Sequence, residues 1–162
     1  MKKFIIGILA SLFAVGLTAG GKHHTRPHHP TYFIGEHGVF FDGKPVDGAA
    51  AGSFKILDDG YAADSWSVYF AGKRLDGAAS TSFKTLGWGY AKDSWNVYYR
   101  GVPVKGASAD SFKALDDWYA KDAWNVYFDG RVIPGATPGN FKVMRDGYAQ
   151  DTWNTYYFGR KI

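Results

Sequence analysis

The chain has 162 residues and no cysteine, which excludes disulfide bonds, thiol nucleophiles and a lipid-modified cysteine anchor. It carries 19 basic and 15 acidic side chains, and two of the lysines lie at the extreme N-terminus. This balance is too even to indicate a nucleic-acid partner. Only Glu36 among the acidic residues is a glutamate, and a chain that uses aspartate so heavily is predicted to be rich in turns and poor in long helices.

Residues 1–20 have the layout of a cleavable secretory signal peptide. Lys2 and Lys3 precede an apolar run from Phe4 to Leu17, and small residues follow up to Gly20. The apolar run is short for a membrane span, so we expect no transmembrane segment after cleavage. The mature protein is therefore predicted to be exported, to the periplasm, the cell surface or the medium.

A histidine- and proline-rich segment follows at residues 21–31. Four histidines fall within seven residues, at His23, His24, His28 and His29. The favoured interpretation is a solvated linker. The alternative is that these imidazoles bind a divalent transition metal, which would make this a metal-handling protein whose repeats are a scaffold. No cofactor is expected.

From residue 32 to residue 162 the chain repeats a 29-residue unit without insertion or deletion. The units begin at Tyr32, Tyr61, Tyr90, Tyr119 and Tyr148. Each contains two adjacent aromatic residues, a following glycine, and an aliphatic residue, and the full units then carry Gly-Ala and Phe-Lys. The first unit differs from the others, since Gly35 and His37 stand where later copies have Asp and Trp. A repeat of this kind predicts an array of identical supersecondary units.

The repeat resembles the DKNYY family, a bacterial repeat family. The resemblance rests on the Tyr-Ala-x-Asp start, the Val-Tyr-aromatic segment, the glycine turn, and the Gly-Ala-x-x-x-x-Phe-Lys stretch from Gly106 to Lys113. It covers Tyr32 to Ile162. The chain departs from the family at the turn, where Lys-Asn-Tyr is replaced by Ser94-Trp95-Asn96. The resemblance implies a repeat domain and brings little information about function.

Within one unit, residues 89–93 and 96–100 are predicted to form two short strands joined by a turn that begins at Asp93. The aspartate is expected to cap this turn rather than to bind Ca²⁺. After the Gly-Ala pair, Ser108 in one unit and Thr137 in the next favour about one turn of helix. Ala50 and Ala79 make this prediction weaker in the earlier units. Each unit is thus predicted to be a hairpin plus a connector with a short helical turn.

Five hairpins and four connectors favour an all-β, open, solenoid-like array. The alternative is a closed barrel or a propeller-like ring. No unit is split between the two ends of the chain, and propeller blades typically need about 40 residues, so the open array is preferred.

The aromatic residues supply the candidate binding site. Alternation along a strand places Val97 and Tyr99 on one face and Tyr98 on the other, so both faces carry large apolar groups. A tryptophan at a turn is costly to expose, which allows two interpretations: packing in the core, or an exposed ladder that binds a ligand. The candidate ligand-binding residues are Trp66, Trp95, Trp124, Trp153, Tyr69, Tyr98, Tyr127 and Tyr156.

The predicted function is that of an exported binding or structural protein of the bacterial cell envelope. Catalysis needs one asymmetric group of residues, whereas a repeat multiplies one surface, so we expect no enzyme. The expected partner is a cell-envelope glycan or another envelope protein. A further alternative is a self-assembling envelope protein that stacks end to end.

Overall fold

The computed structural model describes residues 31–162, which form five small antiparallel sheets arranged in sequence. The predicted signal peptide and the four histidines of the linker lie outside the described residues. Sheet 1 contains three strands and sheets 2–5 contain four strands each, every sheet being a meander of neighbouring strands.

The strands are short, from two to four residues. Sheet 1 comprises β1 (Tyr32–Gly35), β2 (Gly38–Phe41) and β3 (Lys44–Pro45). Sheet 2 comprises β4 (Lys55–Ile56), β5 (Tyr61–Ala63), β6 (Val68–Phe70) and β7 (Lys73–Arg74). Sheet 3 comprises β8 (Lys84–Gly87), β9 (Tyr90–Lys92), β10 (Val97–Tyr99) and β11 (Val102–Pro103). Sheet 4 comprises β12 (Lys113–Ala114), β13 (Tyr119–Lys121), β14 (Val126–Phe128) and β15 (Arg131–Val132). Sheet 5 comprises β16 (Lys142–Val143), β17 (Tyr148–Gln150), β18 (Thr155–Tyr157) and β19 (Arg160–Lys161).

The central hairpin of each sheet confirms the predicted pair of strands. In sheet 3, Val97 pairs with Lys92, Tyr98 with Ala91, and Tyr99 with Tyr90. The two outer strands were not predicted. In sheets 2–5 the strand before the hairpin follows the connector phenylalanine, so each of these sheets begins in one 29-residue unit and ends in the next.

The sheets form an open array. Within residues 31–162, strands pair only inside their own sheet and no barrel closes, so the closed-barrel alternative is wrong. The side-chain hydrogen bonds and ring contacts between sheets in this range join each sheet to the next one, which favours the open array over a propeller-like ring. Every outer strand of sheets 2–5 except β11 contains lysine or arginine, as at Lys55 and Arg74. Such charges on edge strands oppose pairing with other chains.

The predicted helical turn is present in the connectors where it was least expected. 3₁₀ turns form at Ala51–Ser53 and Ser80–Ser82, whereas the two later connectors contain non-helical turns. In the third connector the Nζ of Lys92 donates to the Ala109 carbonyl. Lys121 donates in the same way to the Pro138 carbonyl at 2.8 Å.

The core lies between successive sheets. At the junction of sheets 2 and 3, the ring of Phe83 packs between Tyr61 and Tyr98, with centroid distances of 5.4 and 5.7 Å. The other three junctions repeat this stack at 5.4 to 5.6 Å, in Tyr32–Phe54–Tyr69, Tyr90–Phe112–Tyr127 and Tyr119–Phe141–Tyr156. Small aliphatic side chains, mostly valine, leucine and alanine, complete these clusters. Since every junction has the same contacts, successive sheets follow one another in a regular row.

Hydrogen bonds fix the same junctions. The hydroxyl of Tyr61 donates to the carbonyl of Gly89 and accepts the N–H of Gly101, both at 3.0 Å. Tyr119 makes the equivalent bonds to Gly147 and Gly159 at 3.0 and 2.9 Å. A buried tyrosine thus satisfies its polar group on the next sheet while its ring fills the core.

Candidate functional site

The tip of each central hairpin in sheets 2–5 is built around one aspartate. In sheet 3, Oδ1 of Asp93 accepts the backbone N–H groups of Trp95 and Asn96, each at 2.7 Å. Oδ2 accepts the N–H of Ala79 at 2.9 Å and the hydroxyl of Tyr98 at 3.2 Å. One carboxylate therefore joins the tip, the preceding connector and the core.

The other three sheets repeat this arrangement. Each aspartate accepts the same four donors at 2.7 to 2.9 Å, in the sets centred on Asp64, Asp122 and Asp151. The predicted turn cap is confirmed. Since two donors occupy each carboxylate oxygen, little capacity is left for Ca²⁺. In sheet 1, Gly35 replaces the aspartate.

The electrostatics favour a charged aspartate and a neutral tyrosine. Burial raises the pKa of Asp93, but hydrogen bonds from Ala79, Trp95, Asn96 and Tyr98 more than offset it, so the net pKa is lowered. Burial and the neighbouring Asp93 charge raise the pKa of Tyr98 to about 12. The tyrosine is therefore the hydrogen-bond donor. At neutral pH the charged aspartate holds the tip in place through its four hydrogen bonds.

The tryptophans at these tips point into solvent. Their backbones are held by the aspartates, yet the residues Trp66, Trp95, Trp124 and Trp153 are exposed to 83, 80, 77 and 81%. Four large apolar groups presented in the same way exceed what a soluble surface needs. Because the same contacts join successive sheets, the four indoles occupy equivalent positions on sheets 2–5, and we call them the row of tip tryptophans.

The tyrosine candidates occupy a different place. Tyr69, Tyr98, Tyr127 and Tyr156 are at most 2% exposed and donate to the tip aspartates from inside the core. They support the tips and face no open surface, so a ligand at the tips would contact the tryptophans. Asn96, exposed beside Trp95, is a polar neighbour of the row.

A comparison with protein families finds that the model of the DKNYY family matches residues 32–161, most of the chain. The chain belongs to the DKNYY family. The matched region includes all five sheets of this DKNYY protein, and with them the four aspartate-centred tips. No curated protein and no solved structure matches the chain.

The predicted metal site and the predicted absence of a membrane span concern residues that the structure describes only in part. Residues 31–162 contain no group of three or more His, Cys, Asp or Glu side chains placed to hold a metal ion. The histidines His23, His24, His28 and His29 lie outside that range, so the metal-binding alternative stays a prediction. No helix in the described range is long and apolar enough to span a membrane.

Sequence reasoning missed a second group of aromatic residues at the opposite end of the hairpins. Trp88 and Trp118, in the turns that precede β9 and β13, are 46 and 37% exposed. The signal that marks them is a departure from the repeat, because other units carry aspartate and glycine at these positions.

Proposed function

We propose that this DKNYY protein is an exported, non-enzymatic binding protein of the bacterial cell envelope, and that its row of tip tryptophans binds an extended glycan. The observation that carries the proposal is the exposure of Trp66, Trp95, Trp124 and Trp153 by about four fifths, each on a tip fixed by the same four hydrogen bonds.

An extended glycan matches the chemistry and the repetition of these tips. The C–H faces of sugar rings pack on flat aromatic surfaces, and their hydroxyls both donate and accept hydrogen bonds. Side chains beside the indoles, such as Asn96 and Asn125, offer amide groups at the same edge. A single exposed indole binds weakly, but several on one rigid array engage one chain together, and the effective concentration raises the overall affinity.

Rigid support favours binding over a purely structural role. The tip backbone is already ordered by Asp93 and its equivalents, so a ligand does not have to order a flexible loop. Nothing in the packing of the core requires tryptophan at the tips, because the rings of Tyr61, Phe83 and Tyr98 fill the junctions.

The proposed location in the envelope rests on the N-terminal sequence. Lys2 and Lys3 followed by the apolar run from Phe4 to Leu17 are typical of a secretory signal. Detection of the mature protein in the periplasmic or surface fraction, with a new N-terminus near Gly20, tests the location independently of the ligand.

The binding function is tested by the double variant Trp95→Ala/Trp124→Ala. We expect retention on purified cell-envelope polysaccharide to be lost, while the thermal midpoint stays nearly unchanged because both side chains are exposed. A matched control removes exposed apolar side chains elsewhere, in Ile56→Ala/Val102→Ala, where the residues are 53 and 65% exposed. Retention that survives in the tryptophan variant, or is lost equally in the control, would contradict the proposal.

A further inference from the structure

In sheets 3 and 4, three residues near one another differ in type from their equivalents in the other units. The turn before β9 has Trp88 where the equivalent positions hold Asp59, Asp117 and Asp146. The turn before β13 has Trp118 where the equivalent positions hold Gly60, Gly89 and Gly147. Arg100, in the turn after β10, stands where other units have Asp, Ala or Phe.

These three non-repeating residues line one cleft. Its walls are formed by Trp88, Trp118, Arg100 and Phe70, with the carboxylates of Asp59 and Asp117 at its rim. The stem of Arg100 lies over Gly89, where an added Cβ would come within 2.9 Å of the Arg100 Cγ. Its guanidinium carbon is 5.2 Å from the centre of the Tyr99 ring. The cleft is thus an asymmetric group of aromatic and charged side chains that occurs once in residues 31–162.

Local backbone preferences argue against a merely structural origin. Trp88 has a φ angle of 54°, in the left-handed region that side chains other than Asn, Asp and Gly rarely adopt. The aspartates at the equivalents of Trp88 would be accommodated there more easily. Backbone strain kept at a site that also exposes aromatic rings favours a functional role.

The polar groups of the cleft are available to a ligand. In the described part of the chain neither Arg100 nor Asp117 forms an ion pair, and Oδ2 of Asp59 is used by the Gly89 N–H at 2.9 Å, with its other oxygen free. Trp118 is positioned by an edge contact with Phe158, at a centroid distance of 5.2 Å. Its turn is closed by Asp116, whose Oδ1 accepts the N–H of Trp118 at 2.9 Å.

We propose that this cleft binds one neutral sugar residue, stacked on Trp88 and Trp118 and hydrogen-bonded to Arg100 and Asp117. A sugar hydroxyl accepts from a guanidinium and donates to a carboxylate, so it satisfies both charges. The carboxylates of Asp59 and Asp117 disfavour an anion, and the Arg100 guanidinium offsets part of the attraction that they exert on a cation. The site uses none of the tip tryptophans and stands independently of the proposed glycan row.

The test is a titration of the full-length protein with the methyl glycosides of glucose, mannose, galactose and N-acetylglucosamine, followed by tryptophan fluorescence and calorimetry. We expect at least one to bind with a stoichiometry of one per chain. The variants Trp88→Asp and Trp118→Gly restore the residues of the other units, and each is expected to weaken binding by about tenfold or more, as for the loss of an anchoring tryptophan. Trp88→Asp is expected to keep or raise the thermal midpoint, because aspartate tolerates the left-handed backbone better, and this variant separates lost binding from lost folding. Trp118→Gly is expected to lower the midpoint, because it also removes the ring contact with Phe158.

Two controls make the result specific. Trp95→Ala/Trp124→Ala is expected to keep the single-sugar binding, so failure of the tip proposal and failure of this one are distinguishable. Acetate and choline, as small anionic and cationic probes, are expected not to bind. The proposal is overturned if none of the four glycosides binds, if binding survives in Trp88→Asp, or if either charged probe occupies the cleft.

Discussion

At the residue scale, the tip aspartate joins more parts of the fold than any other polar side chain described above. Asp122 accepts the N–H groups of Trp124 and Asn125 at 2.7 Å, the N–H of Ser108 at 2.8 Å and the hydroxyl of Tyr127 at 2.7 Å. The residue is 4% exposed, so these donors have little water as a substitute partner.

Replacing this carboxylate by an amide of the same shape tests how much it contributes to the free energy of unfolding. In Asp122→Asn, one oxygen becomes an NH₂ group that faces the N–H of Ser108, and the charge is lost. We expect the free energy of unfolding to fall by about 2–3 kcal/mol, the range for hydrogen bonds to a charged group. Asp110→Asn, at an exposed position nearby, is the control in urea unfolding. An equal effect of both changes would contradict the proposed role of Asp122.

The same carboxylates predict the dependence of stability on acid. Burial raises the pKa of Asp64, Asp93 and Asp122, but their hydrogen bonds outweigh it and the folded pKa is lowered, as it is at Asp151. A lowered folded pKa gives stability that is present above the unfolded value, about 3.9, and lost as pH falls through the folded pKa. We expect a thermal midpoint that is level between about pH 7 and pH 5 and falls below about pH 4. Scanning calorimetry across this range measures it, and Asp122→Asn should lose less stability in acid.

The sequence could predict only part of this site. Asp93 at the start of a turn is typical of a cap for Trp95 and Asn96, because those donors are two and three residues away. The bonds to Ala79 and Tyr98 depend on how the connector packs against the hairpin. Alternation could not decide the exposure of Trp95 either, because both faces of the strand carry apolar residues and the tip lies beyond them.

At the element scale, the glycine turn after each central hairpin is also a contact between sheets. Gly130 has a φ of 73°, and an added Cβ would lie 2.8 Å from the Tyr99 ring of the preceding sheet. Gly106, in the connector, has a φ of 74° and no atom within 4 Å of the same position. Comparing substitutions at Gly130 and Gly106 therefore separates the energetic cost of the left-handed backbone from the cost of the steric overlap with the tyrosine ring.

We therefore compare Gly130→Ala with Gly106→Ala. Gly106→Ala is expected to cost about 1 kcal/mol of unfolding free energy, from the left-handed backbone alone. Gly130→Ala is expected to cost about 1–3 kcal/mol more, because its methyl group overlaps the tyrosine ring. Chemical denaturation of both variants measures the difference. Similar losses for both would mean that the Gly130 turn does not pack tightly on the preceding sheet.

Secondary structure was predicted correctly where a strand is long enough to show a residue pattern. The Val-Tyr-aromatic segment identified the central strands, such as β10, while outer strands such as β7 and β12 have only two residues and no detectable alternation. In the two later connectors, which lack the 3₁₀ turn, a carbonyl accepts a hydrogen bond from Lys92 or Lys121. These contacts join residues 17 positions apart, so no local pattern predicts them.

At the scale of the whole molecule, stability resides in the four junctions between sheets. The stack of Tyr90, Phe112 and Tyr127 joins sheets 3 and 4, and no single 29-residue unit contains all three rings. Stability is therefore expected to grow with the number of junctions, as in other repeat arrays.

Truncation tests this expectation. A chain ending at Trp118 keeps the junctions of sheets 1–3 and is expected to unfold cooperatively at a lower temperature than the full chain. The isolated unit from Tyr90 to Trp118 keeps no complete junction and is expected to show no cooperative transition by circular dichroism. Cooperative folding of that single unit would contradict a stability based on junctions.

The row of tip tryptophans is the whole-molecule feature on which the proposed function depends, and its signature is multivalency. Affinity for a long envelope glycan should fall stepwise as Trp66, Trp95, Trp124 and Trp153 are replaced by alanine one after another, since each indole contributes a similar weak contact.

The most direct measurement is therefore the dissociation constant for purified envelope polysaccharide across this series of one to four substitutions, with the thermal midpoint recorded for each protein. We predict a progressive loss of affinity of similar size at each step, with the midpoint almost constant. Affinity that stays unchanged through all four substitutions, or that disappears only together with the folded state, would contradict it.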